Sequence, residues 1–122
     1  MATVEVGTSG LRVRMSRIER LGAFHDDVVA TTANLVDAAS VDDVWSFLRG
    51  ARAPGTGIPG VIMLGTTRQD GVKDFCAVYR HGPGLVVELR DHEFARLLVS
   101  LGAPEAARAA ASVAALVGPG AT

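Results

Sequence analysis

The chain has 122 residues, of which 48% are hydrophobic and 20% charged, and its formal net charge is -1. This composition is typical of a single globular domain with one core, and it excludes intrinsic disorder. A near-neutral chain also lacks the basic excess of nucleic-acid-binding domains, so we expect no nucleic-acid partner.

The single cysteine, Cys76, excludes an internal disulfide and a four-cysteine metal site. The first residues do not resemble a signal peptide, and no apolar run approaches the ~20 residues that span a bilayer. These features predict a cytoplasmic protein. We assign residues 1–118 to one domain and residues 119–122 to a frayed tail.

The first quarter of the chain changes its hydrophobic period once. Residues 3–6 and 11–15 flank Gly7-Thr-Ser-Gly10, and the second run alternates apolar and polar residues, which predicts a strand. The two runs together form either a β-hairpin or a short leader joined to the first core strand. Over residues 16–24 the period becomes helical, and Ser16 with Glu19 forms the pattern of a capping box. We therefore predict a short helix, followed by a polar turn at residues 25–27.

Residues 28–48 contain one stretch that the local sequence leaves open. Residues 28–32 are rich in β-branched side chains and predict a strand. Residues 33–39 are compatible with either strand or helix, and extended structure is favoured because short helices need tertiary support. Asp42 and Asp43 have the character of N-caps for a short helix that contains Trp45.

The second half shows a more regular pattern. Four apolar runs, over residues 60–67, 73–80, 84–90 and 96–101, are separated by short turns and predict an antiparallel meander. Residues 104–117 predict a terminal helix with Pro104 at its first turn and Gly118-Pro119 after its end. The predicted fold is mainly β, namely a bent antiparallel barrel or sheet of about seven strands capped by a C-terminal α-helix.

Residues 49–60 form the most unusual passage, because glycine and proline occupy half of these positions. Successive glycine amides can line a concavity, and two guanidinium groups can bind a phosphate or a carboxylate. We therefore predict a loop with a ligand- or anion-binding site made of Arg49, Arg52, Gly55, Thr56 and Gly57. The alternative is a structural bend whose arginines pair with Asp42 and Asp43.

Other reactive side chains carry no catalytic pattern. His25, His81 and His92 lie far apart and are expected to be solvated turn residues, and Cys76 is expected to be a buried hydrophobe. No metal, cofactor or catalytic site is predicted, so we do not expect an enzyme. The alanines of the terminal helix are candidates for a close contact in a dimer, although most are expected to face the protein's own sheet: Ala106, Ala107, Ala110, Ala111 and Ala114.

Four segments together resemble a family of small bacterial proteins from GC-rich Gram-positive lineages. They are Arg49-Gly-Ala-Arg-Ala-Pro-Gly-Thr-Gly-Ile-Pro-Gly60, Gly65-Thr, Lys73-Asp-Phe75 and Val86-Val-Glu-Leu89. The resemblance implies a pleckstrin-homology-like barrel and no established activity. Eukaryotic pleckstrin-homology domains often bind phosphoinositides near their first two strands, where Arg12-Val-Arg14 has a similar spacing. The terminal helix lacks the tryptophan of those domains.

The sequence thus favours a non-enzymatic binding or interaction module. Its ligand would be an anionic group or a protein partner, bound through residues 49–60. Peripheral contact with a membrane and a monomeric or weakly dimeric state are compatible with this hypothesis. The alternative is a small β-barrel protein that binds flavin or another cofactor as a dimer.

Overall fold

The structure is a computed structural model that describes residues 1–23 and 25–117, apart from the side chains of residues 51–54. This part of the chain contains nine β-strands and two α-helices, so the prediction of a mainly β fold is confirmed. In chain order the elements are β1 (Thr3–Gly7), β2 (Gly10–Arg14), α1 (Arg17–Ala23), β3 (Val28–Thr31), β4 (Leu35–Val41), β5 (Ala51–Ile58), β6 (Ile62–Gln69), β7 (Val72–Tyr79), β8 (Gly84–Leu89), β9 (Arg96–Ser100) and α2 (Ala103–Val117).

The first three strands form an antiparallel sheet in the order β1-β2-β3. Of the two alternatives for this segment, the hairpin is confirmed, with Gly7 opposite Gly10 on either side of a two-residue turn. Leu11 and Val13 are buried while Arg12 and Arg14 are exposed, as the alternating pattern predicts. Gly10 has a φ of 141°, and a Cβ atom there would overlap the backbone of β3. The close approach of β3 therefore requires glycine at this position.

The other six strands form a second sheet in the order β4-β8-β9-β7-β6-β5. The antiparallel meander predicted for the second half is therefore wrong, because β9 lies between β8 and β7 and runs parallel to β7. Leu97, Leu98 and Val99 are all completely buried. Consecutive apolar residues of this kind are typical of a central strand that is covered on both faces, and β9 has this position in the sheet.

The strand count and the barrel also need correction. The described strands form two separate hydrogen-bonded sheets and not one closed barrel, and they number nine where about seven were expected. Strand β5 contributes to the difference, because residues 51–58 were predicted to lie in a loop, whereas the undecided residues 33–39 were already counted as extended. After a 3₁₀ turn at Thr32–Asn34, the chain continues as β4, so the extended interpretation is confirmed from Leu35 onward.

The second sheet is covered on both faces. One face packs on the first sheet and on both helices, and its core includes Phe75, Leu85 and Leu97. The opposite face holds Cys76, Val78, Val86 and Leu98, which contact the segment that leads through the 3₁₀ turn Val44–Phe47. The carboxylate that binds Arg49 lies on the face that holds Cys76. The exposed apolar surface described below lies on the face that packs on the helices.

The C-terminal helix is confirmed as α2, which packs mainly on β4 and also touches β1 and β8. Its buried residues are Ala106, Ala109 and Val113. Of the five alanines proposed for a dimer contact, Ala106 is buried and Ala110 is half-buried, whereas the other three are exposed. Most of the five therefore do not face the protein's own sheet. Residues 118–122, which include the predicted tail, lie outside the described residues.

Two predicted caps have different outcomes. The capping box of α1 is confirmed, because the Ser16 amide donates to Glu19 Oε1 at 2.9 Å and the Glu19 amide donates to Ser16 Oγ at 3.2 Å. Asp43 precedes a 3₁₀ turn but does not cap it through its side chain. Its carboxylate instead contacts His81 Nδ1 at 2.7 Å and accepts a hydrogen bond from the Gly82 amide at 3.3 Å.

Candidate functional site

The predicted glycine-rich loop over residues 49–60 is largely a strand. Residues 51–58 form β5, which pairs antiparallel with β6 and has a register shift between Arg52 and Gly55. Gly55 has a φ of 145°, and a Cβ atom there would overlap the carbonyl oxygen of Leu64 on β6. Glycine at this position allows the two strands to approach closely. The predicted ligand-binding loop is therefore wrong, and the segment is an irregular edge strand.

Arg49 is held by an internal ion pair. Its Nε and Nη2 donate to the two carboxylate oxygens of Asp74 at 2.7 and 3.0 Å, and Asp74 is 1% exposed. The hydrogen bond to Asp74 raises the pKa of Arg49. The alternative pairing with Asp42 or Asp43 is not observed for Arg49. A bidentate pair with a buried carboxylate commits two of the donors that an anion would need.

Arg96 binds the same carboxylate. Its Nη2 donates to Asp74 Oδ2 at 2.8 Å and also to the carbonyl oxygen of Phe47 at 2.7 Å. In the neighbouring strands Arg96 lies opposite Glu88, whose charge also stabilises the charged form of Arg49. Two guanidinium groups thus share this face of the sheet with two carboxylates. The charges of these four groups cancel, so Arg49 and Arg96 have no unpaired positive charge between them to attract an anion.

The backbone of Arg52 lies in the same row of the sheet. Its Cα lies opposite Thr67, which lies opposite Asp74. The side chain of Arg52 is outside the described residues, so its predicted role stays a prediction. The remaining predicted site residues are Gly55, Thr56 and Gly57, which lead toward the other end of β5 and toward helix α1.

Helix α1 lies against that end of the second sheet. Thr56 Oγ1 donates to the carbonyl oxygen of Gly22 at 2.8 Å, and a Cβ atom on Gly22 would touch Leu64. On the next strands, the Tyr79 hydroxyl donates to the carboxylate of Glu19. These two hydrogen bonds join α1 to β5 and to β7, so the helix and the β5–β6 hairpin form one unit.

Glu19 is the polar anchor of this unit, since it is only 5% exposed. Burial by itself would raise the pKa of Glu19. Hydrogen bonds from Tyr79 and Ser16, together with the charge of the terminal ammonium group, hold this pKa below its usual value. Burial and the bond to Glu19 raise the pKa of Tyr79. The pair therefore consists of an ionised carboxylate and a neutral phenol at neutral pH.

Replacing Tyr79 by phenylalanine should lower the free energy of unfolding by about 1–3 kcal/mol, because a buried carboxylate loses its donor. Since the folded pKa of Glu19 is lowered, its contribution to stability is present above its unfolded pKa and is lost as pH falls. The substitution should raise this folded pKa toward its unfolded value, so the part of the acid loss of stability that Glu19 contributes should become smaller. Urea unfolding at several pH values measures both effects.

Asp26→Asn provides the control for this experiment, because Asp26 is an exposed acid that follows the same helix. We expect its unfolding free energy and its acid profile to match those of the wild type. A Tyr79→Phe variant with unchanged stability and an unchanged acid profile would contradict the anchoring role of Glu19.

The outer side of α1 is unusually apolar. Ile18 is 82% exposed and Leu21 is 75% exposed, and the two residues are one helical turn apart. At the tip of the hairpin, Ile58 is 53% exposed and Val61 is 39% exposed. Ile58 lies opposite Ile62, which lies opposite Tyr79, and these residues belong to the face of the sheet that carries α1. We refer to Ile18, Leu21, Ile58 and Val61 as the α1–hairpin face.

Three arginines lie around the α1–hairpin face. Arg17 is exposed on α1, and Arg80 is exposed next to the hairpin tip, where its amide donates to the Val61 carbonyl at 3.0 Å. Arg20 is partly exposed and contacts Asp27 at 3.6 Å. A shallow depression of about 550 Å³ beside Leu21 is lined by Arg17, Arg20, Leu21, His25 and Asp26. The face thus combines aliphatic side chains with a predominantly cationic border.

Sequence analysis did not identify this face as a site. Ile18 and Leu21 recur at helical spacing, and this spacing alone does not show whether the helix buries or exposes them. Their exposure follows from the packing of Glu19 and Ala23 against the protein, which turns the other side of this short helix outward. The local signal that could have shown this orientation is the capping box, because it holds the Glu19 side chain at the start of the helix.

The histidines have separate partners. His25 is not a solvated turn residue as predicted, because its ring packs against Phe75 and Phe94, with a centroid distance of 5.4 Å to each. His81 pairs with Asp43, and His92 Nε2 lies 2.9 Å from the carbonyl oxygen of Val29. Within the described ranges, no group of three or more potential ligands could hold a metal ion.

Cys76 is completely buried, as predicted. Burial raises the pKa of its thiol to about 12. Because the thiolate is the reactive form of cysteine, this side chain is inert near neutral pH.

Comparison of the chain with protein-family models, with curated protein sequences and with solved structures gave no match. The resemblance drawn from the sequence therefore stays a prediction. Among the described residues, neither α-helix has the length and hydrophobicity that crossing a membrane requires.

Proposed function

We propose that this chain is a non-enzymatic binding module of pleckstrin-homology-like architecture, and that it binds its ligand through the α1–hairpin face. The observation that carries this proposal is the exposure of four large aliphatic side chains on α1 and on the β5–β6 hairpin, which the Thr56–Gly22 hydrogen bond joins. Apolar patches of this kind, with polar borders, are typical of interaction sites.

The energetics of the face support this role. Burying one aliphatic side chain stabilises a complex by about 1.5–3 kcal/mol, so a partner that covers Ile18 and Leu21 gains substantially from these two residues alone. Arg17 and Arg80 favour a ligand that carries negative charge beside its apolar part. The anionic ligand predicted from the sequence is thereby retained, but its cationic partners move from Arg49 to the border of this face.

The architecture is supported by antiparallel hairpins that share a core with a C-terminal helix. The parallel pair of β7 and β9 departs from a simple meander. The non-enzymatic part of the proposal is supported by the buried titratable groups, because Glu19, Asp74 and Cys76 each have a structural environment that explains their burial.

A backbone-amide NMR titration tests the proposal with a short-chain anionic lipid, dihexanoyl phosphatidylglycerol, kept below its micelle concentration. We expect saturable shifts in α1 and in residues 55–61. Dihexanoyl phosphatidylcholine should bind more weakly because it carries no net charge, and inorganic phosphate should bind more weakly because it has no apolar part. Each comparison isolates one property of the face.

Two double variants provide matched controls. Ile18→Ser/Leu21→Ser should abolish the shifts, whereas Val29→Ser/Val72→Ser removes exposed apolar side chains elsewhere and should leave them unchanged. Shifts that cluster on another face, or an unaltered response of the first variant, would overturn the proposal. The absence of shifts with every one of these probes would also overturn it.

A further inference from the structure

We infer that His92 is an acid-sensitive latch between the free edge of β3 and the β8–β9 loop, which comprises residues 90–95. The latch is separate from the α1–hairpin face and does not depend on the proposed function. It follows from one feature of the structure, namely that both ring nitrogens of His92 contact backbone groups, one in this loop and one on β3.

The two contacts assign the tautomer of His92. Nδ1 accepts a hydrogen bond from the Phe94 amide at 3.0 Å, so this nitrogen carries no proton. Nε2 lies 2.9 Å from the carbonyl oxygen of Val29, which can only accept, so Nε2 carries the proton and donates it. The ring is therefore neutral in this arrangement, with its proton on Nε2.

Protonation of His92 is incompatible with this arrangement. A proton on Nδ1 would point at the Phe94 N–H, so two donors would face each other without an acceptor. The charged ring has to turn away or the loop has to shift, and the Phe94 amide loses its partner in either case. Histidine is the side chain that ordinarily gains its charge between about pH 8 and about pH 5, so mild acid releases the latch.

The latch covers an edge of the first sheet. In the described sheet β3 pairs with β2 alone, and two backbone groups on its other edge are bound by side chains. His92 binds the Val29 carbonyl, and the Thr31 amide donates to Asn34 Oδ1 at 2.9 Å. The Asn34 side chain does not titrate, so the two caps respond differently to pH. Release of His92 leaves part of a strand edge open to pairing with another strand.

Phe94 is the residue that the latch positions. Its side chain is only 1% exposed, and its ring centroid lies 5.4 Å from those of Phe75 and His25. The Lys73 ammonium group lies 5.9 Å from the same ring centroid. Because the amide of this buried residue is bound by His92, release of the latch loosens the backbone that anchors the loop in the core.

His25 belongs to the same cluster but responds to acid in the opposite way. Its Nδ1 lies 2.7 Å from the carbonyl oxygen of Asp26, so Nδ1 carries the proton. Its Nε2 lies 3.8 Å from Glu93 Oε1 and can gain a proton without losing a hydrogen bond. Protonation therefore strengthens the contact that His25 makes, whereas it breaks the contact between His92 and Phe94.

Charges of both signs surround His92. Asp91 and Glu93 flank it in the chain and stabilise a charged ring, although Glu93 is shared with Lys73 Nζ at 3.5 Å. Cations on several elements oppose that charge: Arg90 of the same loop, Lys73 on β7, Arg12 opposite Val29 on β2, and His25 when it is protonated. The release therefore depends on the lost hydrogen bond more than on one dominant charge.

The tautomer of His92 in the unaltered protein is the first test. Long-range proton–nitrogen NMR correlations near neutral pH distinguish a protonated ring nitrogen from an unprotonated one. We expect an unprotonated Nδ1 and a protonated Nε2. The opposite tautomer, or the averaged signals of a free imidazole, would overturn the inference without the use of any variant.

Hydrogen exchange of the Phe94 amide is the second test. Its protection factor should fall by at least roughly tenfold between about pH 7.5 and about pH 5. The Thr31 amide is the matched control, because it lies on the same strand edge and is bound by an amide side chain. Its protection factor should stay the same, and equal behaviour of the two amides would overturn the inference.

Histidine variants assign the pH dependence to one ring. His92→Gln keeps a donor and an acceptor that do not titrate, so the protection of Phe94 should no longer depend on pH. His92→Phe should give low protection at both pH values, whereas His25→Gln and His81→Gln should retain the wild-type change. A change that survives in both His92 variants, or that disappears in His25→Gln, would show that His92 is not the latch.

Discussion

Replacing Asp74 by asparagine is expected to lower the free energy of unfolding by about 3 kcal/mol, as measured by urea denaturation. The carboxylate is buried and receives hydrogen bonds from Arg49 and Arg96. Without it the Arg96 side chain, which is 16% exposed, keeps its charge in a poorly solvated position. The Arg49 side chain is 39% exposed and can return to water, so its share of the loss is smaller.

Two further variants make this experiment specific. Arg49→Met should cost less than Asp74→Asn, because Arg96 remains to pair with the carboxylate. Asp70→Asn changes an exposed acid at a turn with a φ of 52°, where asparagine is well tolerated, and should have little effect. If Asp74→Asn proved no more destabilising than Asp70→Asn, the structural role assigned to the ion pair would be wrong.

Replacing Gly55 by alanine is expected to cost about 2–4 kcal/mol in the same measurement. The residue has a φ of 145°, and the added methyl group would overlap the carbonyl oxygen of Leu64. The backbone of β5 must therefore move away from β6, or the strand pair must open near the register shift. Either change disturbs the strand end that Thr56 ties to α1.

Two other glycines separate strain from overlap. Gly60→Ala adds a methyl group into open space at a φ of 74°, so it should cost only about 1–2 kcal/mol. Gly7→Ala meets no neighbouring atom within 4 Å and has no positive φ, so it should be close to neutral. Equal losses for Gly55→Ala and Gly7→Ala would show that β5 and β6 do not approach as closely as described.

The Asp74 ion pair changes how residues 49–60 are interpreted. Sequence analysis assigned the arginines of this passage to a loop for anions, with Asp42 and Asp43 as the structural alternative. Arg49 has an internal partner, but that partner lies 25 positions further along the chain. Local sequence could not identify it, because only the pairing of β5 with β6 and of β6 with β7 places Asp74 near the start of β5.

The surface proposed for binding was also outside the reach of the sequence pattern. Ile18 and Leu21 satisfy the helical period whether the helix buries them or exposes them. The choice is made by Glu19, whose carboxylate is bound by Tyr79 from a strand 60 positions away. Glu19 therefore lies on the inner side of α1, because its carboxylate has hydrogen-bond partners there. Ile18 and Leu21 consequently face outward.

Several features followed from the sequence because their causes are local. The hairpin of β1 and β2 depends on alternating side chains and a glycine-flanked turn, and the start of α1 depends on Ser16 and Glu19 three residues apart. Helix α2 follows from its alanines, its early proline and the glycine after it. The burial of Cys76 follows from its apolar neighbours. In each case the deciding interactions lie within a few positions of one another, so the residue order contains them.

Tertiary structure decided the features that depend on distant pairing. The position of β9 between β8 and β7, the ion pair of Asp74 and the outward turn of Ile18 each require residues that lie more than 20 positions apart. Turns specify which adjacent strands form hairpins, but they do not specify how hairpins associate, since that choice depends on burying the greatest apolar surface with every buried polar group satisfied. The local sequence determined most of the elements of this protein, with β5 as the exception, and their association determined its surfaces.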